Sequence, residues 1–509
     1  MPPATAASIV RTTLKVGLEI HVELATRTKM FTRVANPAHP EHFDREPNSL
    51  VDPVVAALPG TLPVMNRRAV EMSMMVGLAL GCRIAEFSKW DRKNYYYPDL
   101  PKGYQISQYD LPLCADGAFE LRDAAGTTRR IGIIRAHLEE DTGKLGHELP
   151  GGARYDGSLV DLNRAGTPLL EIVTAPDFDD VELLVSFAQE LRSLCTFLGV
   201  SEGIMQKGHM RFEPNVNVLL ELQDGRRVAT PVVEIKNLNS FKALRAAVMH
   251  ELERQPRAWL EDGREMGRGM KSTRGWDDVR GVTVLQREKE DAHDYRYFPD
   301  PDLLPVAVDA AWLARVGAEL PELPMARRER YRDRYGLSAV DAQALTEERA
   351  VCLFFEACVA AAGGDGKAGF ACGKLLLNAG AKRANERGVR IDQLGITPAR
   401  VAELVSLREA GTVGPQAADQ LFGLLCETDR PAAELAEAHG LVQVRNEGQL
   451  DEWVAAAIAA QPQAAADVAA GKTAAVGRLV GHVMKLSGGK ADAKSINEKL
   501  LARLRGDGA

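Results

Sequence analysis

The strictest pattern in the chain is the alternation in Val16-Gly-Leu-Glu-Ile-His-Val-Glu-Leu24. Val16, Leu18, Ile20, Val22 and Leu24 share one face of an extended strand, and Glu19, His21 and Glu23 share the other. Polar neighbours on that face stand about 7 Å apart. Such a strand either turns its polar residues to water or, if a second strand brings more oxygens to the same face, binds a metal. Met210-Arg-Phe-Glu-Pro-Asn-Val-Asn-Val-Leu-Leu220 alternates in the same way and sets Glu213, Asn215 and Asn217 apart from its apolar residues.

A third strand signal ends in acid. Ile131, Ile133 and Ile134 surround Gly132, and the segment runs on through Ala136-His-Leu into Glu139, Glu140 and Asp141. Three adjacent carboxylates repel one another and are costly to bury. They either face water as a solvated rim or are held by a cation, and an oxygen-rich cluster suits Mg²⁺, which keeps water and substrate phosphate in its shell. Ser158–Thr174 reads as a strand pair around a Gly-Thr-Pro turn. There Glu171 interrupts the apolar run Leu169-Leu-Glu-Ile-Val, so it must be paired, protonated or metal-bound.

Between the strands lie helices and one irregular segment. Arg67–Leu80 carries Val70, Met74, Met75 and Leu78 at helical spacing, with the methionines read as core. Asp180–Leu198 is amphipathic, and Val232–Phe241 leads into a helix through Arg254. Lys89–Asp110 mixes tyrosines with Arg92, Lys93 and Lys102 and is broken by prolines, so it reads as neither a regular helix nor a central strand. Aromatic and basic residues interleaved in this way bind phosphates or stack bases, or simply cover the core. The expected fold class is α+β: an antiparallel sheet with a concave polar side and helices behind it, over residues 1–305. Ala-rich helical patterns follow, giving an all-α helical domain over 306–410 and an α-helical tail domain over 411–509.

A chain of 509 residues accommodates several domains. Its seven scattered cysteines include no Cys-x-x-Cys, which suits reduced thiols in a cytoplasm. No apolar run is long enough for a bilayer, so a cytoplasmic protein with no membrane association is expected. Ala466-x-x-x-x-Gly-Lys-Thr473 matches a phosphate-binding loop only loosely: it starts with Ala and no strand precedes it. The net charge of −7 argues against a nucleic-acid coat over the whole surface. From residue 471 onward, however, Lys472, Arg478, Lys485, Lys490, Lys494, Lys499, Arg503 and Arg505 face only Asp492, Glu498 and Asp507. That basic tail is either a solvated helix face or a surface for a phosphate-bearing partner.

Taken together, several stretches resemble the GatB family, the B subunits of bacterial aspartyl/glutamyl-tRNA(Asn/Gln) amidotransferases. They are Val16–Leu24, Lys89–Asp110, Ala136–Lys144, Leu159–Glu171, Glu234–Phe241 and Asp294–Pro299. The resemblance covers nearly the whole chain. It implies a cradle related in fold to glutamine synthetase, followed by helical and tail domains that contact tRNA. It also implies a ligase that forms carbon–nitrogen bonds with glutamine as amido donor. ATP phosphorylates the side-chain carboxyl of Glu-tRNA(Gln) or Asp-tRNA(Asn), and ammonia from a glutaminase A subunit displaces phosphate. A small C subunit completes a heterotrimer. A catalytically inactive tRNA-binding and assembly subunit is the alternative, and a free-standing glutamine-synthetase-like ligase would lack an ammonia source.

Carried over by resemblance, Glu19, His21, Glu140 and Glu171 match the catalytic, Mg²⁺-binding positions, with Glu139 adjacent and Glu213 as a further carboxylate. Lys93 and Lys102 match lysines near the phosphate site and ammonia path, and Lys472, Arg478, Lys485, Lys490 and Lys494 are the expected tRNA-binding residues. Two departures stand out. Glu213 replaces the usual Asp of the family. The stretches that hold a zinc in some members through Cys-x-Cys and Cys-x-x-Cys read Thr32-Arg-Val34 and Asp52-Pro-Val-Val55 here, so no zinc is expected.

Overall fold

The structure, a computed structural model, describes residues 8–122, 126–149, 152–267, 269–288, 295–443, 447–489 and 491–505. Residues 289–294 of the expected boundary segment and Lys490 lie outside the described residues. The chain divides into two compact units, Met1–Leu323 and Pro324–Ala509.

The first unit is built on a 13-stranded sheet. Its centre comprises β1 (Ile9–Glu23), β2 (Thr128–Glu140), β3 (Pro168–Thr174), β4 (Met210–Leu222) and β5 (Val233–Lys236). Their order across the sheet is β5-β4-β1-β3-β2. Every described pairing among these strands is antiparallel, and β5 pairs in parallel with Ser272–Asp277 beyond them. The alternation of β1 is realised fully: Val16, Ile20, Val22 and Leu24 are 0% exposed. Leu170, Ile172, Leu138, Phe212 and Val216 extend this apolar layer over the neighbouring strands. Each such side chain stabilises the fold by roughly 1.5–3 kcal/mol through burial.

Among the described residues the same unit carries four α-helices, the short Ala310–Ala318 and three longer ones. Helix α1 (Arg67–Ala79) starts where the Asn66 side chain accepts from the Arg68 and Ala69 amides, and it buries Val70, Met74 and Met75. Helix α2 (Val181–Leu198) is capped by Asp180 and stopped by Gly199 at φ 68°, the left-handed conformation glycine favours. Helix α3 (Phe241–Asp262) continues past the expected end at Arg254 and through Pro256. A proline inside a helix loses a backbone bond. Here Trp259, one turn further on, packs with Val218, Leu220, Leu222 and Val228, and that burial offsets the loss.

Two expectations are corrected. Lys89–Asp110 is not irregular throughout. Asp91–Asn94 and Tyr104–Ser107 form an antiparallel hairpin within the large sheet, because Pro98 and Pro101 fall in its connection and leave the strand amides free to pair. The strands on either side of Gly166-Thr-Pro168 do not pair with each other. Arg154–Asp161 pairs with Lys144–Glu148 in a separate ribbon, while β3 enters the main sheet.

The second unit is helical. Tyr331, Tyr335 and Phe355 pack edge and face, and Arg327, Arg330 and Tyr331 all engage the Glu356 carboxylate. Towards the end of the chain a separate apolar cluster gathers Leu450, Val454, Val468, Leu479, Val483, Ile496 and Leu500. The loose phosphate-loop match lies at the end of helix Pro462–Ala469, with no strand before it. No described helix is long and apolar enough to cross a membrane.

Candidate functional site

Antiparallel register decides which polar residues meet. His137 lies opposite Glu171 and Glu171 opposite His21, which in turn lies opposite Arg211. One rung along, Glu19 lies opposite Glu213, and next to that pair Asn215 lies opposite Glu234. All sit on the face of the sheet opposite the apolar layer.

Two groups form there. In the first, donor atoms of His21, Glu139 and Glu171 lie within 4.8 Å of one another, and in the second so do those of Glu19, Glu213 and Glu234. His21 joins them: its Nε2 is 3.5 Å from Glu171 Oε2 and its Nδ1 is 3.9 Å from Glu213 Oε1. Glu139 accepts from Ser107 Oγ at 2.7 Å and Gln105 Nε2 at 2.9 Å, and Asn215 donates to Glu19 at 3.0 Å. An open cavity of about 390 Å³ beside Glu19 is lined by Val173, Asn215, Asn217, Val232 and Met266.

The three consecutive acids are no solvated rim: Glu139, Glu140 and Asp141 are 3%, 4% and 7% exposed. Strand alternation separates them. Glu139 faces the two groups above. Glu140 turns to the other side, where it engages Lys102 Nζ and accepts from the Ile106 amide at 3.1 Å. Asp141 follows the strand and accepts from Arg211 at 2.7 Å, beside Glu23 and Arg164. Of the expected residues, the structure therefore gathers Glu19, His21, Glu139, Glu171 and Glu213, and sets Glu140 with Lys102 apart from them.

The electrostatics follow from burial set against partners. Burial alone would raise the Glu171 carboxyl, but His137, His21 and Lys93 outweigh it and hold it well below the usual range. Burial likewise works against charge on His21, yet Glu171 and Glu213 raise its pKa. Lys93 is opposed by burial and held well above its ordinary value by Glu139, Tyr297 and Glu171. Its Nζ sits 5.3 Å from the Tyr295 ring and 5.9 Å from the Tyr95 ring, and Tyr297 stacks on Tyr109 at 3.9 Å. At the far end, burial and Asp141 push Glu23 up to about 8, whereas Arg164 and Arg211 overcome burial and hold Asp141 down.

A divalent cation fits this face. The donors are carboxylate oxygens, as Mg²⁺ prefers. The site also keeps buried polar atoms with no hydrogen-bond partner among the described residues: His21 Nδ1, His137 Nδ1 and Asn215 Oδ1. In the stretches expected to hold no zinc, Thr32 donates its hydroxyl to Asp52.

Sequence reasoning left out His137, Arg211, Glu234 and Lys236, which links Glu213 and Glu234. Glu234 had a signal, an acid between the buried Val233 and Ile235. His137 had none, because its side of the strand is set by an irregularity that no residue type marks. In the tail, Lys472, Arg478, Lys485 and Lys494 are exposed, and Lys472 pairs with Asp467 at 3.1 Å.

Residues 14–314 match the family described as the GatB/GatE catalytic domain, and residues 353–504 match the GatB domain. A protein of Thermomicrobium roseum is 46% identical over 477 residues, 94% of this chain and 95% of its own length. One of Thermoanaerobacter pseudethanolicus is 41% identical over 489 residues, covering 96% and 98%. One of Thermosynechococcus vestitus is 43% identical over 509 residues, covering 99% and 98%. All three are named as the B subunit of an aspartyl/glutamyl-tRNA(Asn/Gln) amidotransferase.

Proposed function

The chain belongs to the GatB family of tRNA-dependent amidotransferase B subunits, and from that premise we propose that the polar face of its sheet activates the side-chain carboxyl of Glu-tRNA(Gln) or Asp-tRNA(Asn) with ATP and amidates it. The observation that carries this reading is the convergence of two carboxylate groups on one face, linked by His21, whose Nδ1 approaches Glu213 without a hydrogen bond. A face of this kind exists to hold cationic charge against phosphate. An inactive assembly subunit would have no use for it.

A carboxylate is a poor electrophile. Transfer of the terminal phosphoryl group of ATP to its oxygen releases ADP and turns that oxygen into part of a good leaving group. Ammonia then attacks the acyl carbon, the carbon–oxygen bond breaks, phosphate departs and a proton leaves the nitrogen. Glu19, His21, Glu139, Glu171 and Glu213 would hold Mg²⁺, with Glu234 beside them. When bound, Mg²⁺ supplies charge neutralisation for the phosphates in transfer. Asn215 orients Glu19, and Ser107 and Gln105 fix Glu139. Glu140 acts through Lys102, holding that ammonium in place. Lys93, among tyrosines and close to Glu139 and Glu171, borders the ammonia path.

The ammonia comes from a glutaminase A subunit, with a small C subunit completing the heterotrimer in the cytoplasm. The cradle is of glutamine-synthetase-like fold, and no zinc is held by residues 32–34 and 52–55. Residues 306–410 form the helical domain. Residues 411–509, with an apolar cluster of their own, form the tail that binds tRNA through Lys472, Arg478, Lys485, Lys490 and Lys494. The test is ATP-dependent conversion of Glu-tRNA(Gln) to Gln-tRNA(Gln), and of Asp-tRNA(Asn) to Asn-tRNA(Asn), by the reconstituted complex. Failure on both substrates with an active glutaminase present would overturn the reading.

A further inference from the structure

Among the described residues, most cations of the functional face are engaged by carboxylates, and Lys15, which lines the same cavity, donates to the Pro176 carbonyl at 3.5 Å. Arg211 pairs with Glu23 and Asp141, and Lys236 with Glu213 and Glu234. Lys271 pairs with Glu234, and Lys93 is held by the field of Glu139 and Glu171. Arg135 has no carboxylate within ion-pair distance among the described residues, and its Nε is buried without a hydrogen-bond partner. A guanidinium cannot shed its charge to relieve such a position.

The backbone explains how it got there. Along β2, Ile131 and Ile133 are buried in the apolar layer, and so are Ala136 and Leu138. Strict alternation cannot place both pairs on one side. The register shifts between them: Val173 pairs with Arg135, but the next residue of β3, Thr174, pairs with Ile133. Ile134 is thus an extra residue, a β-bulge, and it is 50% exposed. The bulge reverses the facing of everything after it and delivers Arg135, His137 and Glu139 to the polar face. Bulges beside functional sites commonly re-aim a side chain in this way.

Arg135 stands one rung from the His137–Glu171–His21 row. Val173 is its cross-strand partner, Glu19 is the next residue on that rung, and both Val173 and Glu19 line the cavity beside the carboxylates. Adjacent strands are about 4.8 Å apart. A guanidinium starting two strands from Glu19 therefore reaches a group bound over it.

We propose that Arg135 is a phosphate-binding residue of this site, taking the terminal phosphates of the nucleotide with the planar fork that suits phosphate oxygens. The proposal rests on the reading of this face as the ATP site. Before nucleotide binds, the guanidinium has no anion; with nucleotide bound, it offsets charge on the phosphoryl oxygens in transfer, as arginine does in other phosphoryl-transfer sites.

The test uses the reconstituted complex carrying Arg135→Ala or Arg135→Lys. ATP cleavage dependent on Glu-tRNA(Gln) is followed across ATP concentration, and charged-tRNA affinity is measured by filter binding. Arg135→Ala should raise the KM for ATP about tenfold and lower kcat by roughly 100-fold, with tRNA affinity within about twofold of wild type. Arg135→Lys should fall between, because an ammonium restores charge without the fork. Added guanidinium ion at low millimolar concentration should recover part of the Ala variant's rate, which a merely structural role does not allow. Wild-type KM for ATP and kcat in a folded Ala variant overturns the proposal. Loss of tRNA affinity with ATP kinetics intact also overturns it and assigns the guanidinium to tRNA phosphates. If the wild-type complex itself cleaves no ATP in response to charged tRNA, the reading of the face as an ATP site fails before Arg135 is tested.

Discussion

Glu139 and Glu140 are neighbours in the chain and end on opposite sides of the sheet. Glu139 is held by Ser107 and Gln105 on the polar face, while Glu140 engages Lys102 and the Ile106 amide on the other. Both are almost fully buried. A run of acids that looks like one feature is therefore two, with different partners on different sides of the sheet.

Their isosteric variants should behave differently. Glu139→Gln gives up the charge that Lys93 stabilises but leaves Glu171 beside that ammonium and keeps hydrogen bonds with Ser107 and Gln105, so its thermal midpoint should fall by no more than a few degrees. Its tRNA-dependent ATP cleavage should fall by roughly 100-fold. Glu140→Gln leaves Lys102 without its counter-ion in a half-buried setting and should cost about 1–3 kcal/mol. Calorimetry and ATP cleavage on the two proteins side by side decide this. Equal destabilisation of both would show that strand alternation does not divide their roles.

Much of this was legible in the sequence, because period-two alternation is a direct consequence of pleat geometry. It marked the apolar face of β1 and the polar face of Glu19 and His21 without ambiguity. Continued from Ile131 and Ile133, the same rule puts His137 and Glu139 on the wrong side, since nothing in Ile134 or Arg135 announces a bulge. The hairpin Asp91–Ser107 was hidden for a related reason: proline counts against a strand only where its amide is needed, and the sequence does not say where that is. Glu140 and Lys102 were each singled out, but their pairing depends on two strands that lie far apart in the chain.

Glu23 offers a pH test. Its folded pKa of about 8 lies above the ordinary carboxyl value, through burial and Asp141. The stabilisation from its neutral form is complete below the unfolded pKa near 4.5 and is lost as pH rises towards 8. Glu23→Gln fixes the neutral shape. The variant should match wild type near pH 5 and exceed it at pH 8, by on the order of 1–3 kcal/mol. Chemical denaturation at the two pH values measures it. A difference independent of pH would mean that Glu23 is ionised in the folded protein throughout.

In the tail, Arg478, Lys485 and Lys494 are exposed and free of short ion pairs among the described residues. Changing all three to Ala should raise the KM for charged tRNA about tenfold at moderate salt and flatten its salt dependence, since each phosphate left without its cation takes close to one from the log–log slope. Glutaminase activity of the A subunit should not change. An unaltered salt slope would move the tRNA surface elsewhere on the chain.

The last prediction concerns the cation. Five carboxylates, Glu19, Glu139, Glu171, Glu213 and Glu234, crowd one face, and His21 Nδ1 and Asn215 Oδ1 remain without hydrogen-bond partners among the described residues. Binding of Mg²⁺ to the folded state alone must then stabilise it by mass action, and the thermal midpoint should climb with Mg²⁺ concentration and fall back with a chelator. Glu171 is the discriminating position. His137, His21 and Lys93 already hold its charge in place, so it stays ionised well below neutral pH and is ready as a ligand across the physiological range. Glu171→Gln keeps the shape and removes one hard donor, and with it the charge that His137, His21 and Lys93 stabilise. The apo variant should therefore melt somewhat below the apo wild type at neutral pH, and the gap should narrow as pH falls and the wild-type carboxyl protonates. The Mg²⁺-dependent rise should shrink, and the Mg²⁺ concentration for half-maximal ATP cleavage should shift upward by about tenfold or more. The two readouts guard each other: an apo deficit that does not change with pH would indicate a packing role, whereas an unshifted Mg²⁺ titration in a well-folded variant would remove Glu171 from the ligand set and leave His21 to be tested against Glu213 instead.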